Sequence, residues 1–429
     1  LDDVRVTAIG LYIEGFDSVQ GFEAAAKRAT ILKKPLVVLK AGKTAQSIAT
    51  TLSHTASVTG DNIAGTTFIN RLGCIEVASL SNLLETLKLF HFIGHLREPS
   101  IASVSCSGGE ASLIADQASG TQIYYKPFEK PTKEKLENIL GPIVHVSNPF
   151  DYHTFIWGDT EKMTETFSTV MNNPFELVVF LLDVPRNDYC DDSSFQCAID
   201  AIIATARMST GNIAVVASIP ESMPEALAKT FIAAGVTPLC GIDDAIQAIN
   251  NGILLGSFYL KNSPALCENV YFNKAPRTEH IKLINERDSK SLLSSFGLKV
   301  PKAISADNKD SAMALAARTR LNFPLVVKGL NVAHKTENNL VKVNIKNNSE
   351  LDLSLDEMFK RTKHILVEEM IVDSLAELSV GITRDDIGIF LLTIGAGGIF
   401  AELSTQRVNL LLPATDKEIE TAINTLTIS

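Results

Sequence analysis

The sequence predicts an α/β chain in which two parallel-sheet α/β domains precede a smaller α+β unit. Three observations carry that reading. Short apolar strands alternate with amphipathic helices from Val4 to about Leu96, and the alternation restarts after Pro99. From His280 onward, five strand candidates follow with one convincing helix between them, the pattern of an α+β sheet. In the first domain, 1–97, the strand Thr7-Ala-Ile-Gly-Leu-Tyr-Ile leads to a helix near Gly21–Leu32 and then to Pro35-Leu-Val-Val-Leu-Lys40. The second, 98–241, opens with Ile101-Ala-Ser-Val-Ser-Cys-Ser107, continues with a helix from about Glu110, and has strands at Leu177–Val184 and Ile213–Ser218. Residues 242–279 read as a linker of short helix and loop, because Asn251-Gly252, Gly256 and Pro264 are breakers. The third unit, 280–429, has a helix stopping at Gly297 and a helical stretch through about Arg320. Its strands are Phe323–Lys328, Val341–Ile345, Ile365–Met370, Leu378–Ile382 and Ile389–Thr393, and an amphipathic segment begins near Asp416.

A length of 429 residues suits roughly three domains. Apolar residues at 45% and charged residues at 21% exclude a disordered, collagenous or coiled-coil chain. The net charge of −10, without a block of Lys or Arg, argues against a nucleic-acid partner. The uncharged stretch Ile387–Ala401 is shorter than the roughly 18 apolar residues of a membrane helix, so no membrane association is expected. Six cysteines without a C-x-x-C pair fit neither a disulfide scaffold nor a zinc site and point to a reducing, cytoplasmic setting. The chain starts at Leu1 and is read as a piece of a longer protein.

Four constellations could carry chemistry. After Lys40-Ala-Gly-Lys-Thr44, which lacks the G-x-x-x-x-G-K spacing of a phosphate loop, comes Ser53-His54-Thr55-Ala-Ser57-Val-Thr59-Gly60. A histidine among hydroxyls just before a helix is a setting that could carry a phosphoryl group, since free N–H groups and the helix dipole favour an anion. The same residues equally suit a plain N-cap with a polar loop histidine. Ser107-Gly108-Gly109, between a strand and a helix, could admit a phosphate to backbone N–H groups or could simply be a tight turn. Next are Lys328, Ala333-His334-Lys335-Thr336, Glu368-Glu369, Glu377 and Gly395-Ala-Gly-Gly-Ile399 before Glu402. In that order they suit a nucleotide and magnesium: a cation for phosphates, backbone for the base, oxygen for a hard metal. Finally, Asp151, Tyr152, His153, Phe155, Trp157 and Asp159 could line a pocket for a cationic substrate, although packing is the commoner use of such a cluster.

Taken together, these motifs resemble the acyl-CoA synthetase (NDP-forming) family, fused relatives of succinyl-CoA synthetase and ADP-forming acetyl-CoA synthetase. Ser53–Gly60 resembles the family's phosphohistidine segment, and Tyr12-Ile-Glu14-Gly15 the segment whose glutamate orients that histidine. Ser107-Gly108-Gly109 resembles the start of the opposing helix. Phe323-Pro-Leu-Val-Val-Lys328 resembles the strand whose Lys contacts ATP phosphates, and Ala333–Thr336 the segment of a second, phosphate-shuttling histidine. Glu377 falls in the E-l-x-x-G strand, and Gly395–Glu402 resembles the G-x-G-G-I-x-v-E segment whose Glu helps hold magnesium. Departures are Asn338-Asn339-Leu340 for Gly-Gly-Val, Gln406 for a metal-binding Asp, and an absent N-terminal CoA-binding domain.

The resemblance implies two flavodoxin-like, succinyl-CoA synthetase-like domains followed by a C-terminally truncated ATP-grasp domain. It implies a cytoplasmic, homo-oligomeric ligase with ATP/ADP, Mg2+ and CoA as cofactors, acting on a small carboxylic acid or its acyl-CoA, and phosphate. His54, Glu14 and His334 would be catalytic; Ser53, Thr55, Gly108 and Gly109 would bind phosphate; Lys328, Glu368, Glu369 and Glu377 would bind nucleotide; Glu402 would bind metal. Alternatives are a ligase or lyase for a sulfonium or quaternary-ammonium acid, and a non-catalytic nucleotide-binding relative.

Overall fold

A computed structural model describes residues 1–44, 46, 62–261, 269–273, 283–330, 340–398 and 406–426. The chain forms two compact units: 1–275 with 380–394 and 407–427, and 276–379 with 395–406 and the last two residues.

In the first unit, strands β1 (Ile9–Ile13), β2 (Leu36–Lys40) and β3 (Ile75–Val77) form a parallel sheet in that order. Helices α1 (Val19–Ile31), α2 (Asn62–Arg71) and α3 (Leu80–Phe92) accompany it. Every residue of β2 is buried, as expected for the central strand of a parallel sheet covered on both faces. Ser18 and Ser79 start α1 and α3 by accepting from Gly21 N and Asn82 N, caps worth about 1 kcal/mol each. Lys40 closes β2 opposite Ile13, so Glu14 follows at the same carboxyl-terminal edge.

The second sheet has the order β5-β4-β7-β8-β9, with β6 also on β4, and every pairing is parallel. Its strands are β4 (Ser100–Ser105), β5 (Tyr124–Tyr125), β6 (Phe150–Asp151), β7 (Leu177–Leu181), β8 (Ile213–Ala217) and β9 (Thr237–Cys240). Its helices are α4 (Gly108–Gln117), α5 (Lys130–Leu140), α6 (Thr160–Met171), α7 (Gln196–Met208) and α8 (Glu225–Ala233).

The stretch expected to be a linker is instead largely helix: α9 spans Ile242–Lys261, 20 residues, straight through Asn251-Gly252 and Gly256. Those glycines serve close approach rather than chain breaking. A Cβ on Gly256 would lie 1.8 Å from the Leu96 carbonyl oxygen, and one on Gly252 2.9 Å from Leu89. Ala245, Ile246, Ile249 and Ile253 of α9 join Leu83, Leu89 and Leu96 in a core that also takes Val37 and Leu39 from the first sheet and Val179 and Val216 from the second. Within it Asn251 Nδ2 donates to Thr86 Oγ1 at 3.1 Å. The two parallel sheets therefore share a core through α3 and α9.

The second unit carries α10 (Glu286–Ser295), β10 (Ala303–Ala306), α11 (Lys309–Thr319), β11 (Leu325–Gly329), β12 (Val341–Ile345), α12 (Asn348–Phe359) and β13 (Ile365–Glu369). Its antiparallel sheet runs β10-β13-β11-β12. Strand β10 and helix α12 had no counterpart in the sequence reading. Asn347 caps α12 through Glu350 N, and Leu351, Leu355 and Met358 bury its inner face. Strands β14 (Leu378–Arg384), β15 (Phe390–Ala396) and β16 (Arg407–Leu411) form a further sheet, followed by α13 (Asp416–Asn424) with a Thr415/Glu418 capping box. Within the first unit, Ile389, Leu391 and Leu411 pack with Leu36, Val38 and Phe68 in one cluster.

Candidate nucleotide site and helix-terminus site

Lys328 lies on β11, whose Val326 pairs with Glu368 of β13. Its ammonium is 2.6 Å from Glu368 Oε1 and 2.8 Å from Glu286 Oε1 of α10. Lys290, one turn beyond Glu286, reaches the same two carboxylates at 2.8 Å and 2.5 Å. Two lysines and two glutamates thus close a ring in which Glu368 is only 5% exposed. Burial opposes the charge on Lys328, but Glu286 and Glu368 outweigh it and hold the ammonium above its ordinary pKa. The adjacent Glu369 points elsewhere, because successive strand residues face opposite sides; its carboxylate accepts from Asn322 N and Nδ2 at 2.8 and 2.9 Å. The structure thus separates two glutamates that the sequence grouped, and adds Glu286 and Lys290.

Glu377 sits against the glycine-rich segment: its carbonyl accepts from Gly397 N at 2.8 Å, and its carboxylate fills the place a Cβ on Gly398 would take. His334 and Glu402 lie outside the described residues, as do Ser53, His54 and Thr55. Among the described residues, no group of three His, Cys, Asp or Glu side chains is arranged to hold a metal ion.

At the carboxyl-terminal edge of the first sheet, Ile13 pairs with Lys40 and Glu14 follows it in sequence, and Lys43 pairs with Glu76 of β3 at 2.6 Å. Lys40 is 2% exposed.

In the second sheet, β4 runs into α4, where Ser107 Oγ accepts from Gly109 N at 3.2 Å. The N-terminus expected to receive phosphate faces carboxylates in this structure. A Cβ on Gly108 would lie 3.3 Å from Asp151 Oδ2 of β6, and Glu110 stands in the first turn of α4. Burial, then Asp183, then Asp151 push the Glu110 carboxyl up to about 7, overriding the helix dipole. Asp183 is held by accepting from Ser218 N at 2.8 Å, and Asp151 by accepting from His153 N at 2.8 Å. Burial and the same Glu110 raise the Cys106 thiol to about 11, so it is no thiolate nucleophile at neutral pH.

The aromatic run does not form one pocket. Tyr152 is buried against Phe167. Trp157 packs edge-on to Phe195 and donates Nε1 to Ser194 O at 3.0 Å. His153, with φ of 58°, stacks on Phe155, which is 65% exposed. Packing accounts for Tyr152 and Trp157, and a ring cage for a cationic acid is not assembled.

Two domain families fit this chain. Residues 1–90 match the succinyl-CoA ligase like flavodoxin domain and residues 275–429 the ATP-grasp domain. Along almost its whole length the chain is similar to ADP-forming acid–CoA ligases. It is 28% identical over 428 residues to the acetate–CoA ligase [ADP-forming] of Methanocaldococcus jannaschii, covering 94% of this chain and 59% of that protein. To the 4-hydroxybutyrate–CoA ligase [ADP-forming] of Nitrosopumilus maritimus it is 23% identical over 441 residues, covering 98% and 61%. The chain thus spans about 60% of the length of these curated relatives. The fold resembles that of Ca. Korarchaeum cryptofilum dinucleotide forming acetyl-coenzyme A synthetase 1 solved with phosphate and ADP, with a TM-score of 0.50 and 17% identity over 62% of this chain and 57% of that one. Sequence reading and comparison agree on an α/β chain with parallel sheets followed by an antiparallel ATP-grasp region.

Proposed function

We propose that this chain is part of an ADP-forming acid–CoA ligase that interconverts acid, CoA and ATP with acyl-CoA, ADP and phosphate. The observation that carries the reading is the Lys328 ammonium, kept charged on a strand of the ATP-grasp region by Glu286 and Glu368. A permanently charged lysine there suits the phosphates of ATP or ADP. His54 is the phosphoryl carrier: its neutral ring nitrogen attacks the γ-phosphorus, the bond to the β-phosphate oxygen breaks, and ADP leaves. In acyl-CoA synthesis the phosphoryl group then passes to the acid carboxylate, and CoA thiolate displaces phosphate from the acyl phosphate. Glu14 fixes the His54 tautomer, His334 relays the phosphoryl group, Ser53 and Thr55 offer hydroxyl donors to it, and Gly108 and Gly109 offer backbone N–H groups, that of Gly109 turning from Ser107 Oγ to the phosphoryl oxygen. Glu369 and Glu377 flank the nucleotide. Glu402, with the side-chain oxygen of Gln406, supplies the all-oxygen donors magnesium takes; the ion would neutralise phosphate charge.

No described helix is long and apolar enough to cross a membrane, and the five described cysteines are unpaired, which supports a cytoplasmic site of action. The reading is tested by supplying the protein with ATP, magnesium, CoA and a panel of short-chain acids. One ADP and one phosphate per acyl-CoA are expected; AMP and pyrophosphate would refute it.

A further inference from the structure

We propose that Glu286 is a positioning residue for Lys328, with Lys290 as the counter-cation that makes the arrangement work; this rests on the reading of Lys328 as a phosphate-binding group. An ammonium has three N–H donors. Lys328 commits two of them, to Glu286 and Glu368, and Lys290 likewise commits two to the same pair. Each lysine therefore keeps one donor that no described residue takes.

The four side chains divide the work. Glu368 comes from the strand beside Lys328, so it alone would draw the ammonium back along the sheet. Glu286 comes from α10, 42 residues away in sequence, and pulls from a second direction. Lys290, four residues further along the same helix, satisfies the second oxygen of Glu368 and lessens its hold on Lys328. The two lysines can share an incoming polyphosphate, whose negative charge compensates theirs. The logic matches the strand-lysine and helix-glutamate pair of protein kinases, where the carboxylate aims the lysine at nucleotide phosphates.

The pairing is testable because positioning acts on phosphates and not on the nucleoside. ATP, ADP and adenosine binding are compared by calorimetry for the protein and its Glu286→Gln, Glu286→Asp, Lys328→Met and double Glu286→Gln/Lys328→Met variants. Glu286→Gln is expected to weaken ATP and ADP about tenfold, the scale of one charged hydrogen bond, and to leave adenosine unchanged. Glu286→Asp recovers part of the loss, and the double variant binds no worse than Lys328→Met alone. Equal losses for adenosine and ATP, no loss in Glu286→Gln, or additive losses in the double variant would overturn the proposal. If Lys328→Met binds ATP like the unaltered protein, the phosphate reading of Lys328 fails and the proposal falls with it.

Discussion

Two groups of carboxylates, one in each unit, show opposite electrostatic designs. Around Lys328, Glu286 and Glu368 are matched one for one by lysines, and the product is a cation held above its usual pKa. At the start of α4, Glu110, Asp151 and Asp183 gather, and burial with the two neighbouring carboxylates drives the Glu110 carboxyl up to about 7. Buried charge is tolerated in the first case because each ion has its partner, and is partly removed by protonation in the second because it has none. A helix terminus with that much negative charge nearby attracts an anion less than its dipole alone would.

The largest break in the comparison is Glu368→Ala. It leaves two lysines sharing the single carboxylate of Glu286 in a poorly solvated place, and urea denaturation should register a loss of about 3–5 kcal/mol; a loss below about 1 kcal/mol would mean the ring is as weak as a surface ion pair. Next is Glu110→Gln. Glu110 has an ordinary pKa of 4.5 and a folded value of about 7, so the folded state holds the extra proton between those limits, and stability falls as pH rises through that window. Removing the charge should add about 1–2 kcal/mol at pH 8 after solvent screening and flatten the dependence between pH 4.5 and 7. An unchanged pH profile would place the instability elsewhere. The smallest effect is expected from Asp183→Asn, which keeps the oxygen that Ser218 N uses but removes a neighbouring charge. The Glu110 pKa should move down, read from the side-chain carboxyl carbon by NMR titration, with a stability gain of a few tenths of a kcal/mol. A Glu110 titration that does not move would show that burial and Asp151 set it without Asp183.

Much of this organisation was legible in the sequence, and the gaps have physical causes. The alternation that announces parallel sheets is read correctly because β2, β7 and β8 are buried along their whole length. Lys328 was found because its strand is a continuous apolar run. Glu286 and Lys290 escaped, since their partners lie 42 and 78 residues away; the four-residue spacing of Glu and Lys on one helix was the available signal, but it usually marks a solvated pair. The different duties of Glu368 and Glu369 follow from strand alternation and could have been anticipated. Helix α9 differs from the expected linker because Gly252 and Gly256, breakers by composition, admit Leu89 and Leu96 against the helix. Helix α12 has a cap signature in its sequence, Asn347 three residues before Glu350.

The central claim concerns His54 and is tested most directly by incubating the protein with γ-labelled ATP and magnesium, with His54→Ala in parallel. The account predicts acid-labile, base-stable label on the unaltered protein and none on the variant. Label of equal size on His54→Ala, or ATP bound without any label appearing, would contradict it.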